Sequence, residues 1–218
     1  MRLRVFTDFD GTVAANDVGD GLFARFAHPD WRTAVQAWKE GRISSRECLE
    51  RECRLARVSR EHLDAYADEQ ELDPYFLPFA RFCEMHQIPL MVLSDGLDYY
   101  IQRILRRHGL GGLPFRSNRL VFGSDGVIIP EFPYYELGCK VCANCKGYHV
   151  RTLRRDDELV IYVGDGFSDR CGALEADVVL AKGDLCRYCQ VQGLKHAQFV
   201  TFADVLAHVQ AIISHNPH

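Results

Sequence analysis

The sequence predicts an α/β protein: an open, mostly parallel sheet covered by helices, with a small helical cap inserted after the first strand. Three observations carry this reading. From residue 74 onward, short apolar runs alternate with segments of helical periodicity, the pattern of a parallel sheet built from crossover units. Before that point, residues 15–73 show apolar residues at helical spacing and no strand-like run. Three of the apolar runs end on acidic residues and glycines, where an open sheet of this kind binds its ligands.

In chain order, residues 3–8 read as a buried strand. Residues 18–26, 31–38, 45–55 and 60–66 read as cap helices, separated by H-P-D, E-G-R and V-S. The spacing then predicts a helix over 75–86, a strand over 88–93 and a helix over 98–108. Two short strands, 120–122 and 127–129, flank S-D-G as a hairpin. A helix over 146–154, a strand over 159–163 and a helix over 168–176 follow. Strands at 178–180 and 198–201 and a helix over 202–213 complete the series, and the final S-H-N-P-H is expected to fray. The core thus comprises residues 1–14 and 74–218, and the cap residues 15–73.

Composition narrows the function. The 218 residues allow one good core plus a small appended unit. A net charge of −4 offers no basic face for nucleic acid, and the clusters R-I-L-R-R-H and R-T-L-R-R read as solvated helix faces. No apolar run approaches the roughly 20 residues that span a bilayer. The first segment is a charged strand rather than a signal peptide, so the nine cysteines are expected to be reduced thiols in the cytoplasm. Oligomeric state is not legible.

The chemistry lies at the strand ends. The first strand ends in D-F-D-G-T, with Asp8 and Asp10 two positions apart. The 88–93 strand ends in Ser94-Asp95-Gly96, and the 159–163 strand in G-D-G-F-S-D, which holds Asp165 and Asp169. Lys146 opens the helix before this last strand. Singly, each is an ordinary turn, cap or surface lysine. Together they suit phosphoryl transfer. Clustered carboxylates are stable around a hard cation such as Mg²⁺. One carboxylate can attack phosphorus while a second handles protons. Ser94, nearby backbone N–H groups such as that of Gly96, and Lys146 can hold phosphate oxygens.

These four motifs, in this order, resemble the haloacid-dehalogenase superfamily of phosphatases, whose core is a Rossmann-like sheet. The resemblance covers the whole chain, and a helical insert directly after the first motif is similar to the phosphoserine-phosphatase subgroup. It implies Asp8 as nucleophile and Asp10 as general acid/base. It implies Mg²⁺ held by Asp8, the Asp10 carbonyl and Asp165, with Asp169 in support, and phosphate held by Ser94, Gly96 and Lys146. The substrate implied is a small phosphorylated metabolite. N-D after the first motif, F-A-H-P-D-W, S-D-G-L-D-Y-Y and the cysteine-rich approach to C-K-G resemble the methionine-salvage branch, which acts on 2-hydroxy-3-keto-5-methylthiopentenyl-1-phosphate. That same C-K-G selects Lys146 over Lys140. Asp17 stands where phosphoserine phosphatases usually carry glutamate, which argues against phosphoserine. Phosphoserine, phosphoethanolamine and phosphocholine remain open as alternatives, as do a phosphotransferase and a non-catalytic binding module on the same scaffold. Asp17, Phe23, Trp31, Trp38 and Arg51 are the cap candidates for substrate contact.

Cys139, Cys142 and Cys145 form C-x2-C-x2-C, and Cys186 and Cys189 a second C-x2-C. Such spacing can supply thiolates to a structural Zn²⁺, but the two clusters lack the paired spacing of a zinc ribbon, and free thiols that shape the loop carrying Lys146 are the expectation. Cys48, Cys53, Cys83 and Cys171 read as small core or surface residues.

Overall fold

The computed structural model describes residues 2–215. Its centre is a seven-stranded sheet in the order β4-β3-β2-β1-β5-β6-β7. The strands are β1 (Arg2–Thr7), β2 (Leu90–Leu97), β3 (Phe115–Phe122), β4 (Ile128–Glu131), β5 (Glu158–Gly164), β6 (Val178–Ala181) and β7 (His196–Gln198). All neighbours pair in parallel except β3 and β4, which form the hairpin around S-D-G, with Phe122 opposite Ile128. Asp125 and Gly126 take positive φ there, the left-handed geometry a tight hairpin requires.

Alternation along the strands divides the core into two layers. Val5, Ile161, Val163 and Leu180 face one side. There they pack with residues of α5 (Phe76–Met85), α6 (Asp98–Arg107) and α10 (Phe202–His215). Phe6, Val160, Tyr162 and Val179 face the other side. Their neighbours include residues of α7 (Lys146–Leu153), α8 (Arg170–Leu174) and α9 (Gly183–Gln192). The α9 helix is an addition to the sequence reading, which left that stretch unassigned. It contains Cys186 and Cys189, three apart and buried against β6, so these two thiols are core residues. The last helix runs two residues further than expected and takes in Ser214 and His215; the rest of the expected frayed tail, residues 216–218, lies outside the described residues.

Between β1 and β2 come α1 (Val18–Phe26), α2 (Trp31–Lys39), α3 (Ser45–Leu55) and α4 (Arg60–Asp68). Side-chain caps start three of them: Asp17, Ser44 and Ser59 accept the backbone N–H of Asp20, Glu47 and His62. Leu22, Phe23, Trp31, Leu49, Cys53, Leu63 and Tyr66 are buried in the same apolar cluster as β1 and α6. The chain leaves and re-enters the sheet side by side: Ala14 bridges Leu72, Ala15 N donates to Glu71 O at 2.9 Å and Asp73 N to Val13 O at 2.9 Å.

Candidate active site

The strand order reverses between β1 and β5, where crossover loops part and leave a crevice at the carboxyl ends. Asp8 follows β1 and Asp165 follows β5, so the sheet itself brings the two acids together; Asp8 N donates to Val163 O at 2.9 Å. Gly11 turns the chain away with φ +71°, and a Cβ there would lie 2.8 Å from Asp165 Oδ2. Glycine is needed both for the backbone angle and for the space.

Lys146 is fully buried at the start of α7. Its Nζ donates to Asp8 Oδ1 at 2.5 Å, Asp169 Oδ1 at 2.6 Å and Ser168 Oγ at 3.0 Å. Burial alone would push this ammonium towards neutrality; the Asp169 and Asp8 charges outweigh it and hold the lysine charged. Asp169 also accepts the Tyr162 hydroxyl at 2.6 Å and the backbone N–H groups of Asp165 and Gly166 at 2.9 and 2.8 Å. Both of its oxygens are therefore saturated by the protein. Asp8 Oδ2, by contrast, accepts no hydrogen bond among the described residues.

Asp10 points across the crevice to the β2 end. It accepts Ser94 Oγ at 3.1 Å, Gly19 N at 3.2 Å and the Tyr100 hydroxyl at 3.2 Å. Burial and the Asp17 charge push its carboxyl up to about 7, against the opposing pull of those donors. Ser94 in turn accepts Gly96 N at 2.9 Å, and Gly96 leaves the space that Tyr100 Oη fills, since a Cβ there would lie 1.9 Å from it. One carboxyl oxygen of each of Asp8, Asp165 and Asp169 lies within 4.8 Å of the others. With Asp169 committed to protein donors, Asp8 and Asp165 are the carboxylates with an oxygen left to offer, the donor type that fits a small hard cation such as Mg²⁺.

The crevice opens into a cavity of about 350 Å³, floored by Asp8, Asp10, Ser168 and Asp165 and roofed by residues of α1, α2 and α3. Asp17, Phe23 and Trp38 line it, as the sequence suggested. Trp31 is buried nearby and does not line the cavity. Arg51 is corrected: it is exposed on the far side of α3, pairs with Glu47 and does not reach the cavity. The inward face of α3 instead presents Glu52, buried next to Cys48 and Leu49. Burial, reinforced by Asp20, pushes the Glu52 carboxyl up to about 8. A charged residue inside an otherwise apolar helical stripe was the available signal for it.

Asp95 was also passed over. Ser45 Oγ donates to one of its oxygens and Asn144 N to the other at 2.7 Å, tying the cap helix α3 and the loop before Lys146 to the end of β2. Tyr100 and Asn144 have comparable positioning roles, Asn144 Nδ2 donating to Ser94 O at 2.8 Å. None of these belongs to a short motif.

Fold and site together define an α/β enzyme of the phosphoryl-transfer class. Residues 5–173 match the haloacid dehalogenase-like hydrolase family, and the chain belongs to it. It is similar to proteins named 2-hydroxy-3-keto-5-methylthiopentenyl-1-phosphate phosphatase. The one from Geobacillus kaustophilus is 32% identical over 96% of this chain and 96% of its own, and the one from Geobacillus thermodenitrificans 31% over 97% of both. The one from Brevibacillus brevis is 27% identical over 97% of this chain and 96% of its own. Among solved structures, a phospho-aspartyl intermediate analogue of phosphoserine phosphatase superposes with a TM-score of 0.72, at 17% identity over 95% of this chain and 98% of that one. The expected α/β fold with its parallel sheet is thereby found, and the chain is a phosphoric monoester hydrolase.

Proposed function

We propose that the chain hydrolyses the phosphate monoester of a small metabolite in two displacements at Asp8. The observation that carries this reading is the buried Lys146, bridging Asp8 and Asp169 opposite an Asp10 whose carboxyl is poised near neutrality. Asp8 Oδ2 attacks phosphorus and the bond to the leaving alkoxide breaks, giving an aspartyl-phosphate. Asp10 gives its proton to that alkoxide, then takes one from the water that attacks the phosphorus and frees Asp8. Ser94, the Gly96 N–H and Lys146 bind the phosphoryl oxygens. Mg²⁺, held by Asp8, the Asp10 carbonyl and Asp165, would neutralise charge on those oxygens. Asp169 acts behind them, fixing Lys146 and the loop 164–166.

We take residues 15–73 as the cap, closing over the cavity and selecting the substrate. The leading substrate is 2-hydroxy-3-keto-5-methylthiopentenyl-1-phosphate, supported by the full-length relatives that carry its name. One observation favours a second reading. The cap side of the cavity holds Asp17 and Asp20, two acids that suit the cationic head of phosphoethanolamine or phosphocholine, with Lys39 on the same wall. The reducing cytoplasm is the compartment we assign, where cysteines stay reduced.

Replacing Asp8 by Asn keeps the shape and removes the nucleophile, so phosphate release is expected to fall by more than about 10³-fold with the fold intact. Near-normal turnover by that variant would sink the mechanism. Initial rates on the keto-pentenyl phosphate, phosphoserine, phosphoethanolamine and phosphocholine decide the substrate. No phosphate release from any of them, or from a wider panel of esters, would restore the binding-module reading.

A further inference from the structure

We propose that Cys139, Cys142, Cys145 and Cys171 bind one Zn²⁺ in a tetrahedral thiolate site that fastens the loop before Lys146 to helix α8. The inference is independent of the phosphatase mechanism. Three of these residues come from the C-x2-C-x2-C run; the fourth comes from α8, so Cys171 is neither the core nor the surface residue that the sequence suggested.

The geometry is that of a single-ion site. All four sulfurs lie within 4.8 Å of one another, and Cys142 Sγ stands 3.8 Å from Cys171 Sγ. A tetrahedron with Zn–S bonds of about 2.3 Å has sulfur–sulfur edges of about 3.8 Å. Sulfurs gathered this closely cannot sit on opposite irons of a cluster, so an ion bound by all four is mononuclear. The soft donor set selects zinc over the hard cation that suits the nearby carboxylates. The remaining cysteines behave differently: Cys48, Cys53, Cys83, Cys186 and Cys189 are buried and join no such group among the described residues.

The loop is shaped around these sulfurs. Cys142 N donates to Cys139 Sγ at 3.4 Å, fixing the turn between the first two cysteines. Lys140, between the two, takes φ +60°, a left-handed angle that costs a non-glycine residue energy and needs outside support. Two glycines provide clearance. A Cβ on Gly138 would lie 2.5 Å from Cys145 Cβ, and one on Gly147 2.6 Å from Cys171 O. The stretch 138–145 has no helix or strand of its own to hold that shape.

Its position makes the site consequential. Cys145 immediately precedes Lys146, and Cys171 comes two residues after Asp169, the partner of that lysine. The same loop meets the cap, where Ser45 N donates to Val141 O at 2.9 Å and Ala143 N to Ser45 Oγ at 3.2 Å. A bound ion would fix the separation of α7 and α8, and with it the Lys146–Asp169 contact.

The test is the metal content of the full chain, expressed with zinc in the medium, purified without chelator under reducing conditions and desalted. One equivalent of zinc per chain is expected, falling to background in Cys142→Ser and Cys171→Ser and unchanged in Cys186→Ser. Should the serine variants fail to fold, wild-type protein stripped of metal and refilled with Co²⁺ serves instead. The intense visible bands of tetrahedral cobalt thiolate are expected, and zinc should displace them. Zinc-free wild-type protein, zinc retained by folded Cys171→Ser, weak octahedral cobalt bands, stoichiometric iron in place of zinc, or a Cys142–Cys171 disulfide in the purified protein would each overturn the proposal.

Discussion

The hydroxyl of Tyr100 stands 3.2 Å from both carboxyl oxygens of Asp10, buried in a niche that only glycine at position 96 leaves open. Tyr100 touches the proposed proton carrier, and its place on α6 is fixed by the apolar neighbours Ile101 and Ile104. Tyr100→Phe keeps the ring and removes one donor to a charged group, an interaction worth about 1.5–3 kcal/mol. We expect kcat to fall roughly 10- to 100-fold with little change in KM. Steady-state rates on the preferred substrate check this; an unchanged kcat would detach Tyr100 from the reaction.

Lys146 neutralises two buried carboxylates at once. Lys146→Met strands Asp8 and Asp169 as uncompensated like charges and removes the proposed phosphate ligand. Breaking a buried pair from one side costs roughly 3–5 kcal/mol. Urea unfolding is expected to show a loss of that size, together with phosphatase activity near background. Unaltered stability would mean that the lysine is not the counter-charge its contacts imply.

Glu52 gives a pH signature that can be isolated by difference. Its folded-state pKa of about 8 lies above the ordinary value of 4.5, so the folded chain takes up a proton there that the unfolded chain releases. Its contribution to stability is thus complete below about pH 4.5 and is lost as pH rises towards about 8. Glu52→Gln cannot ionise. Relative to wild type, this variant should gain on the order of 4 kcal/mol between pH 5 and pH 9, read from denaturant midpoints at the two values. A pH-independent difference would place the Glu52 carboxyl back in the ordinary range.

Trp38 reaches from the cap to Phe167 in an edge-on contact, ring centroids 5.1 Å apart, at the cavity rim. Trp38→Ala should raise KM about tenfold while leaving thermal stability nearly unchanged, because the ring is only half-buried. Arg51→Ala is the control: its exposed pair with Glu47 contributes under about 1 kcal/mol, and turnover is expected to stay within about twofold.

Much of this architecture could be read from residue order because strand ends and short motifs are local. Asp8, Asp10, Ser94, Lys146, Asp165 and Asp169 all converge at one end of the sheet, as the alternation of strands and helices implied. Sequence could not show that Asp169 spends both oxygens on protein donors, since these come from Lys146, Tyr162 and two backbone amides. Arg51 and Glu52 are adjacent in the chain, yet one faces solvent and the other the cavity. Helical phase separates them, and the charge pattern of α3 alone did not settle which way it turned. Cys171 lies too far from the C-x2-C-x2-C run for spacing to join them; only the packing of α7 on α8 does so.

The bridge between Ala14 and Leu72 also bears on how the chain finds its fold. Val5 pairs with Leu90 in the finished sheet, across a long intervening segment that must be looped out first. If the cap helices form early, this bridge short-circuits the loop, shrinking it from roughly 85 to roughly 27 residues and lowering the closure cost by about 1 kcal/mol. The insert that covers the active site is, on this view, also a device for bringing β1 and β2 together. Refolding rates of a variant with a weakened cap, such as Leu63→Ala, should then fall, and an unchanged rate would show that the sheet assembles without waiting for its cap.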